Sequence, residues 1–114
     1  MASKMVDTVT AAASAVVNPG SMTRFPEGGA TFSVAFEAGG TQTCTVQLRA
    51  WNNTMPAAAK EVLWTCVLPV VGGLKNGDLF DSLPVFSIWD DWDWNVVALG
   101  AGATVRLSAV GVGV

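Results

Sequence analysis

The sequence predicts an all-β fold: a small antiparallel β-sandwich, jelly-roll or immunoglobulin-like, of about six to eight strands in a single domain. Three observations predict it. Glycine and asparagine punctuate the chain at short intervals, at Asn18-Pro19-Gly20, Gly28-Gly29, Gly39-Gly40, Asn52-Asn53, Gly72-Gly73, Asn76-Gly77 and Gly100-Ala101-Gly102. Between them lie short runs that alternate apolar and polar side chains with the period-two signature of half-buried strands. No segment carries the 3.6-residue apolar repeat of a convincing amphipathic helix. With 114 residues, 51% hydrophobic and 13% charged, the chain has one domain's worth of apolar sequence and is not a disordered tail. At 11.8 kDa, folding can bury roughly two-thirds of the unfolded surface, so a core forms without metals or disulfides.

Residues 1–15 read as an N-terminal arm or first strand, and residues 16–114 as the sandwich domain. The Ala-rich run 8–17 would tolerate helix but reads as strand. The arm is poor in large apolar anchors, so it is expected to be mobile or ordered only on a partner, with Met5 and Val9 among its contacts. In 30–37, Phe32, Val34 and Phe36 fall on one face and Thr31, Ser33 and Ala35 on the other. Gly39-Gly40 follows as a tight turn into 41–50, where Cys44, Val46 and Leu48 point inward and Thr43, Thr45, Gln47 and Arg49 outward. These two runs make the best hairpin in the chain.

A loop holding Asn52, Asn53 and Pro56 comes next, with one helical turn expected in 56–62. The run 62–68 sets Val62, Trp64 and Cys66 against Leu63, Thr65 and Val67, so both faces read as covered, and Pro69 ends it or marks an edge. Strands are expected at 84–89 and 92–99, joined by an acidic turn at Asp90-Asp91. The last strand, 103–110, alternates Val105, Leu107 and Ala109 against Thr104, Arg106 and Ser108. Beyond it, Val110, Val112 and Val114 share a side that faces only Ala and Gly, an uncharged strand suited to pairing with a neighbouring chain's edge.

The chain has no His and no Tyr, which removes the usual general base, the commonest metal ligand and a phenolic acid. It offers no phosphate-binding loop before a helix and no Ser-His-Asp set. Asp90, Asp91 and Asp93 could supply a carboxylate pair of the glycosidase kind, but turns this short leave little room for a cleft. The chain therefore reads as a non-enzyme without cofactor or metal. Net charge is −3, and the bases are scattered at Lys4, Arg24, Arg49, Lys60, Lys75 and Arg106, so no basic patch exists for nucleic acid. The uncharged run 8–23 is broken by Asn18-Pro19-Gly20 and does not read as a membrane span. A signal peptide is not expected either, since 8–17 holds no Leu, Ile or Phe.

Three readings compete for Trp89-Asp90-Asp91-Trp92-Asp93-Trp94, the densest feature. The acids could hold a hard cation such as calcium, but the run lacks the Gly-spaced loop of a full oxygen site. Exposed indoles could stack on sugar rings. The favoured reading is structural: Trp92, Trp94 and Val96 share a strand face that enters the core or a subunit interface, while Asp93 and Asn95 face water. Cys44 and Cys66 sit inward, and a symmetric hairpin centred on Met55 would oppose their sulfurs. A cross-strand disulfide is geometrically open, but free thiols are favoured in a reducing cytoplasm, and two ligands exclude zinc. Finally, 15 charges with a mean hydropathy of +0.44 are few for a lone domain and imply a homo-oligomer. Its contacts are expected at Trp89, Trp92, Trp94, Val110, Val112, Val114, Met5 and Val9.

The run from Thr31 through Phe32, Val34, Phe36, Gly39, Gly40 and Thr41, followed by Cys44-Thr45-Val46-Gln47-Leu48, resembles a Gly-rich hairpin of the small β-sandwich structural proteins of tailed bacteriophages. Trp94 to Leu99 with Gly100 to Leu107 is similar to their closing hairpin, and the likeness covers roughly residues 30–110 in order. It departs at Glu37-Ala38, where a Gly is frequent, and in the Trp/Asp run. The resemblance implies a virion component of the head decoration (cement) type. Such a protein would be a homotrimer bound non-covalently to the major capsid protein at the capsid surface, assembled in the host bacterial cytoplasm. A fibre or tail attachment module that binds carbohydrate through exposed tryptophans is the alternative.

Overall fold

In a computed structural model, residues 3–26, 28–39, 42–54, 60–68, 80–85 and 89–113 are described. They form eight strands: β1 (Ser3–Ala11), β2 (Ala15–Val17), β3 (Ala30–Ala38), β4 (Cys44–Trp51), β5 (Glu61–Leu68), β6 (Phe80–Val85), β7 (Asp91–Leu99) and β8 (Thr104–Gly113). There is no helix among the described residues, and the helical turn expected in 56–62 falls largely on residues outside them.

The strands make two four-stranded antiparallel sheets, A in the order β1-β8-β3-β6 and B in the order β2-β7-β4-β5. First pairs with eighth, second with seventh, third with sixth and fourth with fifth. The chain is thus one long hairpin ribbon whose tip is the β4–β5 connection. Rolling that ribbon until β8 also meets β3, and β7 also meets β4, closes both sheets. That is the jelly roll of two Greek keys, and it decides between the two sandwich types expected from sequence.

The roll overturns the expected pairings. Residues 30–37 are strand as predicted and 41–50 are strand from Cys44 onward, but β3 lies in sheet A and β4 in sheet B, so the connection that leaves Gly39 runs between the sheets and closes no hairpin. The closing pair β7 and β8 is split between the sheets in the same way. A glycine turn encodes a reversal of direction and does not encode whether the chain re-enters the same sheet. The two crossings pack together at one end of the sandwich, where Gly100 N–H donates to Thr43 O at 2.9 Å. Gly39 has φ +71°, and a Cβ there would lie 2.8 Å from Ala103 Cα, so this contact requires glycine for both backbone angle and space.

Both chain ends depart from expectation too. The N-terminal segment is no free arm: β1 pairs with β8 from Ser3↔Gly113 to Ala11↔Val105. The Val-Gly strand is likewise no free edge, because β8 sits inside sheet A between β1 and β3. Its small inward side has a steric cause. A Cβ on Gly111 would come within 3.0 Å of the Pro26 ring and 3.1 Å of Gly29 O, so the segment entering β3 packs directly on that strand. The 8–17 run is strand as expected, but broken at residues 12–14, where the chain passes from sheet A to sheet B.

Inward faces follow the alternation closely. Phe32, Val34, Val46, Leu48, Leu68, Trp94, Val105, Leu107 and Ala109 are fully buried between the sheets. Bulges interrupt the alternation in β3 near Phe36 to Ala38, in β5, and in β7 at Val97. In β5, Leu48 pairs with Trp64 and Arg49 with Val62, so Leu63 is the extra residue of a bulge. Val62 therefore lies on the outer face beside Arg49, half-exposed, and does not share a face with Trp64 and Cys66. The predicted 84–89 strand meets the end of β6, with Pro84 inside that edge strand, which tolerates its missing N–H, while residues 86–88 lie outside the described residues.

Candidate functional site

The Trp89 to Trp94 segment leads from the β6–β7 connection into β7, and pairing with β4 fixes which way each side chain points. Leu48↔Trp94 and Ala50↔Trp92 put both indoles on the inner face. Trp92 and Trp94 are buried at 2% and 0% exposure and stack edge-on against Phe32 and each other, with centroids 5.1, 5.8 and 5.7 Å apart. Each such edge contact adds about 0.5–1.5 kcal/mol beyond burial. The Trp92 Nε1–H donates to Met22 O at 2.9 Å, whereas the Trp94 and Trp89 Nε1 atoms are buried without a partner among the described residues. Trp92 and Trp94 are therefore core residues of this chain, as the structural reading expected, and are not the partner contacts they were also expected to be. Trp89 is half-buried and packs on the same core.

Asp93 was expected to face water and is instead 1% exposed. It does lie on the outer face of sheet B, but two cations cover it. Arg49, its cross-strand neighbour, grips both oxygens through Nε and Nη2 at 2.8 Å each, and Lys60 Nζ donates to Oδ2 at 2.8 Å. Lys60 also stands 4.2 Å over the Trp51 ring. Sequence reading missed this triad because its members come from β4, β7 and the approach to β5.

The other two acids of the run are clamps. Asp90 accepts from Asn53 N–H at 2.6 Å, its own N–H donates to Asn52 Oδ1 at 3.1 Å, and Arg24 lies 3.9 Å from Asp90 and 3.7 Å from Asp91. Asp90 and Asp91 thus share Arg24, whereas Asp93 is held by Arg49 and Lys60, so the three carboxylates do not meet at one point. Among the described residues no group of three or more His, Cys, Asp or Glu is placed to hold a metal ion.

Of the remaining contact candidates, Met5 and Val9 are half-buried against the core. Val110 is 40% exposed on the outer face of sheet A, where its cross-strand partner Val6 is 53% exposed. Val112 pairs with Lys4 in the β1–β8 ladder, and Val114 lies outside the described residues. Along that outer face, Val110 is flanked by Val6 and Thr31 and Ser108 by Thr8 and Ser33, with the Arg106–Glu37 pair at one end, 3.8 Å apart.

Cys44 and Cys66 are buried thiols that are not joined in a disulfide. Cys44 faces Leu68 and Cys66 faces Val46, so the β4–β5 register sets the sulfurs on a diagonal and not opposite one another. Burial pushes the Cys44 thiol above its ordinary pKa, an effect only partly offset by a hydrogen bond with the Leu68 backbone.

Asp7 is the residue that sequence reading overlooked. It shares the inner face of β1 with Met5 and Val9, opposite Ala109, and is 1% exposed. Oδ2 accepts from Met22 N–H at 2.7 Å, while Oδ1 is buried without a partner among the described residues. The signal was legible: a carboxylate stands where the Met5 and Val9 parity calls for an apolar residue. Compared with protein-family models, curated proteins and solved structures, the chain matches none.

Proposed function

We propose that this chain is a non-enzymatic structural protein of a tailed-bacteriophage virion, a capsid decoration (cement) protein that forms a homotrimer and binds the major capsid protein at the head surface. The observation that carries the reading is the strand order, β1-β8-β3-β6 over β2-β7-β4-β5. The support is fold analogy joined to surface chemistry. Jelly rolls recur in viral capsid domains and in lectins, and burial of Trp92 and Trp94 takes away the aromatic platform that the sugar-binding branch would need. The outer face of sheet A carries Val6, Val110, Thr8, Thr31, Ser33 and Ser108 where a solvated sheet ordinarily carries charge. Such a face desolvates cheaply against a flat protein lattice. A protein that binds the assembled shell better than its free subunits stabilises that shell by mass action.

The test is to compare particles with and without this protein. Particles lacking it should release DNA at lower temperature or milder osmotic shock, and re-addition of purified protein should restore resistance. Identical release curves, or a protein that stays monomeric by sedimentation equilibrium and does not bind stripped particles, would overturn the proposal.

A further inference from the structure

The outer face of sheet B is accessible and apolar. Val16, Val62, Val67 and Val97, four of the six large apolar side chains exposed among the described residues, stand on its strands, each 42–53% exposed. Register points them outward: Val16 opposes Asn95, Val62 opposes Arg49, Val67 opposes Thr45, and Val97 is the extra residue of the β7 bulge. The charges beside them, Arg49, Lys60 and Asp93, are bound to one another. A sheet face left to water is ordinarily polar, so these valines call for a cover.

The centre of this face is complementary to itself. Val16, Asn95, Gln47 and Thr65 form one row across the strands from β2 to β5. Asn95 Nδ2 donates to Gln47 Oε1 at 3.1 Å, which leaves Gln47 its N–H donors and Asn95 its carbonyl acceptor, with no other partner among the described residues. Turning both amides over exchanges the roles and still leaves one donor beside one acceptor. A two-fold axis lying in the face, parallel to the strands and between β4 and β7, lays β4 of one copy over β7 of the other. Each unspent donor then meets the unspent acceptor of the mate, and Val16 lies over Thr65. The strands stay aligned, as in ordinary face-to-face packing of sheets.

We infer that the outer face of sheet B is a two-fold interface with a second copy of this chain, centred on Gln47 and Asn95 and sealed by the surrounding valines. Its size suits a weak, reversible contact. The strands of sheet B present roughly 450 Å² of flat area. Two such faces, with the relief of their side chains, bury about 1,000 Å², near the least that a specific contact needs. A two-fold contact cannot close a trimer, so the inference does not rest on the virion reading, which uses the opposite face of the sandwich.

Sedimentation equilibrium tests it on the parent chain and on Val6→Lys with Val110→Glu, which takes the sheet A face out of play. The second protein should keep a monomer–dimer equilibrium in roughly the micromolar range. Adding Val97→Lys, near the axis, should weaken that dimer at least about tenfold yet move Tm by no more than about 2 °C, because the side chain points outward. Register is read by mixing. Gln47→Lys in one copy and Asn95→Asp in the other set a cation over a carboxylate across the axis, so the mixture should associate about tenfold more tightly than either variant alone. The two Arg49–Asp93–Lys60 triads, each with one surplus positive charge, face one another along the same axis, so added salt should tighten the dimer. Absence of a dimer at about millimolar protein, a dimer indifferent to Val97→Lys, or a mixture no tighter than its components would overturn the proposal. A dimer present in the parent and lost in Val6→Lys with Val110→Glu would place the contact on sheet A and overturn it as well.

Discussion

Arg49→Met is the sharpest test of the sheet B triad, because it removes one member and leaves a buried charge behind. Asp93 is 1% exposed, Arg49 is 18% and Lys60 is 32%. Loss of Arg49 deletes both guanidinium bonds, and Lys60 alone remains on the carboxylate. Breaking a buried pair from one side costs about 3–5 kcal/mol, and the surviving lysine places this case near the lower end, about 3 kcal/mol. Unfolding entropy near 2.1 cal/mol/K per residue gives about 0.24 kcal/mol/K for this chain, so each kcal/mol moves Tm by about 4 °C and Arg49→Met should lower it by roughly 12 °C. Lys60→Met removes a more exposed partner and its contact with Trp51, so about 1 kcal/mol and 4 °C are expected. The decisive arm is Arg49→Met combined with Asp93→Asn. The dominant penalty is the orphaned carboxylate, so neutralising it should recover at least about 1 kcal/mol relative to Arg49→Met alone. Calorimetry on the four proteins reads all of this. The reasoning fails if Arg49→Met costs no more than Lys60→Met, or if the double variant is no more stable than Arg49→Met.

Other outcomes follow from the same geometry. Gly39→Ala should cost about 2–4 kcal/mol in chemical denaturation, since it combines a positive φ with backbone contacts of 2.8 and 3.0 Å. Gly102→Ala, with φ +80° but open space around it, should cost only about 1–2 kcal/mol, and equal costs would contradict the steric account. Because burial raises the Cys44 thiol in the folded state, the unfolded chain loses that proton first. Its contribution to stability is therefore complete below the ordinary value of 9.0 and declines as pH rises above it. Denaturation midpoints of the parent protein and Cys44→Ala should converge as pH rises from 8 to 10, and parallel curves would refute the assignment. Val6→Lys with Val110→Glu, opposite charges across one β1–β8 pair, should change monomer stability by less than about 1 kcal/mol, because both side chains point outward, yet abolish the proposed assembly and particle binding in sedimentation.

Strand identity and inward faces were readable along the chain, and partnership was not. Alternation alone picks out Phe32 and Val34, Cys44, Val46 and Leu48, Trp92 and Trp94, and Val105, Leu107 and Ala109 as inward, and each is buried. That signal is local, since a strand's two faces are set by its own period. Pairing is a non-local fact: Ser3 meets Gly113 across nearly the whole chain, and no adjacent residue records it. The same limit hid the triad, since burial of Asp93 depends on register with Arg49 and on the path that brings Lys60 back. The Leu63 bulge was hidden as well, because an extra residue in β5 shows only against the spacing of β4. Asp7 differs from these. Its parity with Met5 and Val9 was visible, and what the structure adds is that the inner face of β1 is truly buried there.

This division between local and non-local information changes what the scarcity of charge means. Read locally, the uncharged ends of the chain looked like free edges awaiting a neighbour's strand. In the roll they supply β1 and β8, and β8 is hydrogen-bonded on both sides, so its lack of charge reflects an interior position in sheet A. The free side of β1 is itself partly capped, since Ser21 bonds the Val6 carbonyl. Strand addition at these ends is thus disfavoured, because it would have to displace contacts already made. The large apolar side chains left exposed among the described residues are Val6 and Val110 on sheet A, and Val16, Val62, Val67 and Val97 on strands of sheet B. On sheet A, Val6 and Val110 project from the outer face, away from the strand edges. Under the proposed assembly, contact through this part of sheet A would be face-on, by side-chain packing, and its strength would depend on outward side chains such as Val6 and Val110.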